Sequence, residues 1–168
     1  MWRRGVIVPE IAFIIACMQT IPLPPNALPS QTAAILSSPM AIVGPTLLLR
    51  PRHVPTEFSF SIVIGVRGID LFRDVPAQLT WNMTTPGGDV VFSAPAIPLT
   101  LGPPSSDVTP LPIEDANAIF GLNIQNVSLP VEGHYRVTVK VDGLDIGYQE
   151  IPVRVLPKEG LNRGPANP

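Results

Sequence analysis

Charge is what this chain has least of. Only 14% of its 168 residues are Asp, Glu, Lys or Arg, against roughly 25% in an average soluble domain. A net charge of −2 gives no electrostatic reason to bind nucleic acid, and no basic cluster is interleaved with stacking aromatics. Nucleic acid is therefore not an expected partner. Cysteine occurs once, at Cys17, which excludes a disulfide framework and a cysteine-rich zinc site. The two histidines are His53 and His134. His134 reads as an exposed turn residue, and Arg50-Pro51-Arg52-His53 as a solvated junction. No Gly-x-Ser-x-Gly elbow, phosphate-binding glycine loop or His-Glu-x-x-His motif is present. Long apolar runs are missing too. A spanning helix needs about 20 apolar residues, and Pro9 and Pro22 bound the longest proline-free apolar stretch. No transmembrane helix is expected, and no tract of about ten residues carries a helical repeat of apolar positions.

Proline is what the chain has in excess. There are 22, beside 13 glycines, more than twice the usual proline share of roughly 5%. Each proline inside a helix costs about 3 kcal/mol. With 45% hydrophobic residues, enough for a core, the composition argues for short strands separated by turns. Phe58, Phe60, Ile62 and Ile64 fall on one face of a strand, with Ser59 and Ser61 on the other. Leu79, Trp81 and Met83 alternate with Thr80 and Asn82, which makes Trp81 a structural core residue. Pro86-Gly87-Gly88-Asp89 turns the chain into a return strand at Val90-Val91-Phe92. Phe120, Leu122 and Ile124 mark a further strand, and Tyr135, Val137, Val139 and Val141 another. Asp142-Gly143 is a strong type I′ hairpin signal, because both central residues must take positive φ. The partner strand runs over 144–155, with Pro152 pointing to an edge position.

The remaining segments are less regular. Residues 22–55 are rich in proline and poor in charge, with apolar pieces at 33–36, 40–43 and 46–49 that suit short extended segments. Residues 94–113 hold six prolines and read as a long loop without a strand, of the kind that scaffolds present for binding. Residues 113–119 fit one short helical turn, and 157–168 a flexible tail. The expected architecture is a single all-β domain over 1–156, an antiparallel β-sandwich of about seven to eight strands.

The first 17 residues fit two descriptions. Trp2-Arg3-Arg4 followed by an apolar stretch has the form of a secretory signal, and Ile14-Ile15-Ala16-Cys17 has that of a lipoprotein lipobox. Against this, Pro9 and Glu10 interrupt the apolar core, and a carboxylate is costly in an inserting helix. The other description is a first strand over 6–17, in which Val6, Ile7, Val8, Ile14 and Ile15 supply β-branched residues.

Two resemblances bear on the fold. Glu132-Gly133-His134-Tyr135-Arg136-Val137 resembles the acidic-Gly-x-Tyr pattern of the tyrosine corner in immunoglobulin-like sandwiches. That resemblance implies an Ig-like or C2-like sandwich in which Gly133 and Tyr135 are structural. The cysteine pair of antibody domains is absent. The Pro-Glu-Ile-Ala-Phe start, the 55–64 strand, Pro86-Gly87-Gly88-Asp89 and the Gly133-His134-Tyr135 hairpin are also similar to a family of small uncharacterised bacterial proteins, single sandwich-like domains of unknown function. This likeness implies that residues 6–17 belong to the folded domain. It carries over no catalytic residue.

Asp142 with Asp145, and Asp70 with Asp74, are the carboxylate pairs a calcium-binding sandwich would use. Calcium takes six to eight oxygens, however, and the turn already accounts for Asp142. Asn82 and Asn126 head glycosylation sequons. No catalytic, cofactor or metal residue is expected. The functional expectation is a non-enzymatic, cytoplasmic β-sandwich with a protein-binding or structural role. Its charge-poor, proline-rich first third would expose apolar surface to a protein partner or to a second copy. The alternative is a bacterial lipoprotein anchored through Cys17.

Overall fold

Alternating residues become strands throughout the computed structural model, which describes residues 8–22, 40–69, 75–99 and 117–157. No helix occurs among them. In chain order the strands are β1 (Glu10–Pro22), β2 (Met40–Thr46), β3 (Thr56–Arg67), β4 (Ala77–Thr84), β5 (Val90–Ser93), β6 (Ile97–Leu99), β7 (Asn117–Leu129), β8 (Gly133–Val141) and β9 (Leu144–Val153). They form two antiparallel sheets packed as a β-sandwich. One has the order β2-β1-β3-β7; the other has the order β5-β4-β8-β9, with β6 also on β4.

The core lies between the sheets. Ile14 and Ala16 of β1, Phe60, Ile62, Ile64 and Val66 of β3, and Ala118, Ile124, Val127 and Leu129 of β7 meet the inward side chains of β4, β8 and β9. Along β4 the buried residues are Ala77, Leu79, Trp81 and Met83, and along β8 they are Tyr135, Val137, Val139 and Val141. Both strands keep a period of two, as half-solvated strands do. Burying each such aliphatic side chain contributes about 1.5–3 kcal/mol. Ile11 carries the contact across to β9, where its side chain lies against Gly147.

Several expectations are corrected. The described residues hold nine strands, beside an expectation of about seven to eight. The first strand starts at Glu10 and continues to Pro22; Val8 precedes it and is exposed, while Val6 and Ile7 lie outside the described residues. β3 is not half polar, because Phe60 through Val66 are buried without a break. The strand is central, between β1 and β7, so Ser61 and Val63 are buried on the face opposite the core. The expected loop over 94–113 contains β6, whose three residues pair with Ala77, Gln78 and Leu79 of β4. A strand this short is invisible to periodicity, and its central Pro98 hides it further. Residues 100–113 lie outside the described residues. The helical turn proposed for 113–119 is strand from Asn117 onward. The apolar piece at 33–36, Asp70, Asp74 and the tail over 158–168 also lie outside the described residues.

Candidate functional site

β1 and β2 form a hairpin at the edge of their sheet, with Gln19 opposite Val43 and Pro22 opposite Met40. Among the described residues nothing pairs with the outer side of β2. Such an edge offers unpaired backbone groups to another chain unless something blunts it. Here Gly44 at φ 60° and Pro45 blunt one end, and Met18 fills the space that a Cβ on Gly44 would occupy. No charge appears between Glu10 and Arg50, and apart from Gln19 the large exposed side chains here are apolar. Leu47 is 86% exposed and Met18 61%, and Ile21, Ile42 and Val43 are exposed as well. Ile42 and Val43 are consecutive and so point to opposite faces of the hairpin.

After β2 the chain crosses from one sheet to the other. Leu49 makes a parallel bridge to Val153. Its N–H donates to the Pro152 carbonyl at 2.9 Å, and its carbonyl accepts from Arg154 N–H at 3.0 Å. Leu156 N–H then donates to the Pro51 carbonyl at 3.0 Å. The crossing leaves an open cleft of about 740 Å³ at this end of the sandwich. Met18, Leu49, Phe58 and Leu156 supply its apolar lining. Arg50, Arg52 and Glu57 stand on it with exposed side chains. The polar groups in the lining are mostly engaged. Thr46 Oγ1 donates to the Leu48 carbonyl at 2.7 Å, Thr56 Oγ1 to the Glu57 carbonyl at 3.2 Å, and His53 Nδ1 lies 3.0 Å from the Pro55 carbonyl. Neither Arg50 nor Arg52 makes an ion pair or side-chain hydrogen bond among the described residues.

Sequence reasoning passed over this cleft. Arg50-Pro51-Arg52-His53 reads as a solvated junction because Met18 and Leu156, which complete the lining, lie far off in the chain. Only the fold brings them together.

The structural candidates are dispersed through the sandwich. Tyr135 is buried at the start of β8, and its Oη donates to the Val131 carbonyl at 2.8 Å. Burial pushes the phenol pKa up, and the Val131 contact partly offsets this. Gly133 has φ 141°, and a Cβ there would run into the Pro86 ring. Asp142 and Gly143 both have positive φ at the β8–β9 turn. Asp142 does more than turn the chain: its Oδ1 accepts from Gln78 N–H at 2.9 Å, and its own N–H donates to the Gln78 carbonyl at 2.8 Å. Trp81 stacks on Phe92 at 4.8 Å between centroids, and its buried indole N–H has no acceptor among the described residues.

Cys17 is fully buried in β1, opposite Pro45 on one side and Ser61 on the other. Desolvation pushes its thiol pKa up, against a smaller opposing effect of the Gln19 backbone. Beside it Ser61 and Thr20 both donate to Asn123 Oδ1, at 2.5 and 3.2 Å. His134 faces Glu150 at 3.6 Å on the exposed side of β8, far in sequence from His53. Asp145 pairs with Lys140 at 3.7 Å. Among the described residues no three His, Cys, Asp or Glu side chains converge in a metal-sized group, and no helix is long and apolar enough to cross a membrane.

No protein-family model matches the chain, and no curated protein matches it.

Proposed function

We propose that this protein is a non-enzymatic, cytoplasmic β-sandwich module that acts by binding protein, its own copy included, through the β1–β2 hairpin edge. One observation carries the reading: the exposed apolar residues Met18, Ile21, Ile42 and Val43 lie on the paired strands β1 and β2, with Leu47 just after them, at a sheet edge that pairs with nothing further among the described residues. Apolar surface of this kind, uninterrupted by charge, favours association, and an open edge supplies backbone hydrogen bonds for it. The dispersal of the two histidines and of the acidic residues favours binding over catalysis.

A chain that retains residues 10–16 is favoured over one cleaved and acylated at Cys17. β1 lies between β2 and β3, so losing its first half would remove paired backbone from the middle of a sheet. The mass of the protein purified from its own cells tests this directly, since an acylated chain would start at Cys17.

Sedimentation velocity of the full chain over a concentration series, beside Val43→Lys, tests the binding mode. A charge on the edge is expected to abolish self-association or capture of the physiological partner and leave the fold intact. Identical behaviour of the two proteins would remove the hairpin edge from consideration.

A further inference from the structure

The cleft beside the crossing segment has a chemistry of its own, although it shares Met18 and Thr46 with the β1–β2 hairpin. Its volume of about 740 Å³ falls in the range of roughly 300–1,000 Å³ that small-molecule sites occupy. Its lining divides sharply in character. Met18, Phe58 and Leu156 offer partly or largely exposed apolar surface, with Leu49 buried behind them. The Thr46 and Thr56 hydroxyls and His53 Nδ1 are spent on neighbouring carbonyls. The strongest donors left to a ligand are the guanidiniums of Arg50 and Arg52, neither of which has a carboxylate partner among the described residues. A peptide strand would need several backbone partners from this surface. A molecule with one anionic group and an otherwise apolar body needs only what the cleft offers.

We propose that the cleft binds a single-chain anionic amphiphile, a long-chain carboxylate, with its head on Arg50 and Arg52 and its hydrocarbon against Met18, Phe58 and Leu156. A planar guanidinium matches a carboxylate through two parallel hydrogen bonds, and the chain removes exposed apolar surface from water. Glu57 stands on the same cleft and opposes the head by like charge. It therefore sets the affinity in the opposite direction to the arginines.

The test uses the full chain and dodecanoate below its micellar concentration, followed by calorimetric titration and by the shift in Tm. Saturable one-to-one binding that raises Tm is expected, with dodecyltrimethylammonium ineffective. Arg50→Ala with Arg52→Ala is expected to weaken binding about tenfold or more, the effect of losing charge-assisted hydrogen bonds. Glu57→Gln is expected to tighten it. All three positions are exposed, and an unchanged Tm without ligand establishes that the variants fold. Absence of saturable binding would overturn the proposal, as would equal affinity in the double arginine variant. Flotation with anionic vesicles by a protein that ignores monomeric dodecanoate would overturn it in favour of a membrane surface.

Discussion

Tyr135 closes a loop on Val131: the phenol donates to the Val131 carbonyl at 2.8 Å, and the Val131 N–H points back at the same oxygen at 3.4 Å. One buried hydroxyl thus fixes the turn between β7 and β8 from beneath, at the point where the chain passes from one sheet to the other. Tyr135→Phe keeps the ring and removes the bond, leaving the carbonyl without this partner. The expected loss is about 1–2 kcal/mol, read as a lower urea midpoint at unchanged m-value. A change below about 0.5 kcal/mol, the scatter of neutral surface substitutions, would mean that packing alone holds the turn.

Gly133 is constrained from two sides. Its φ of 141° is territory that L side chains rarely enter, and the Pro86 ring occupies the place of a Cβ. Gly133→Ala is expected to cost about 2 kcal/mol or more through backbone strain and overlap together. Adding Pro86→Ala trims the ring and is expected to recover part of the loss. No recovery would assign the whole penalty to the backbone.

Cys17 should behave as a thiol that reagents cannot find. In native buffer an alkylating reagent is expected to leave it untouched, while denaturant releases one equivalent of reactive thiol. Rapid stoichiometric labelling of the folded protein would contradict its burial. The pH dependence follows from the same burial. The folded pKa lies above the ordinary thiol value of 9.0, so the neutral form is favoured by folding. Its contribution is complete below that value and is lost as pH rises through the folded pKa. Tyr135, raised from 10.0, adds a loss of the same sign at higher pH. Urea midpoints are therefore expected to fall on the alkaline side, and Cys17→Ala to remove the earlier part of the decline.

Asp142 has two separable duties, the left-handed turn and the bond to Gln78 N–H. Asn tolerates the backbone conformation and keeps a side-chain acceptor, whereas Ala does neither well. Asp142→Asn is expected to cost under about 0.5 kcal/mol and Asp142→Ala about 1–2 kcal/mol, compared by thermal or urea unfolding. Equal losses would show that the carboxylate charge matters and the geometry does not.

β4 and β8 were readable from sequence because one face of each meets water, so Leu79-Trp81-Met83 and Tyr135-Val137-Val139 keep strict alternation. β3 was readable as a strand, but its second face was not. Ser61 looks like a solvent residue until Cys17 and Asn123 are seen on either side of it in the register. β6 escaped because three residues carry no period. The cleft escaped for a different reason: Met18, Phe58 and Leu156 belong to no common motif, and only the strand order makes them neighbours. Cys17 marks the limit of local pattern most clearly. The residues before it suit a lipobox and a strand alike, and the pairing of β1 with β2 and β3 is a tertiary property that no window along the chain contains.

The bonds from Leu49 and Pro51 to Pro152, Arg154 and Leu156 have a consequence in time. They join stretches roughly a hundred residues apart in the chain, and contacts so distant close late because their loop entropy is large. During synthesis earlier segments leave the ribosome before later ones, so the crossing segment lacks these partners until β9 and the residues after it have been made. The cleft must therefore wait, during translation, for the Leu156 segment that completes its lining. For this protein, the interval before β9 arrives is the period when its charge-poor first third is most open to unintended contacts.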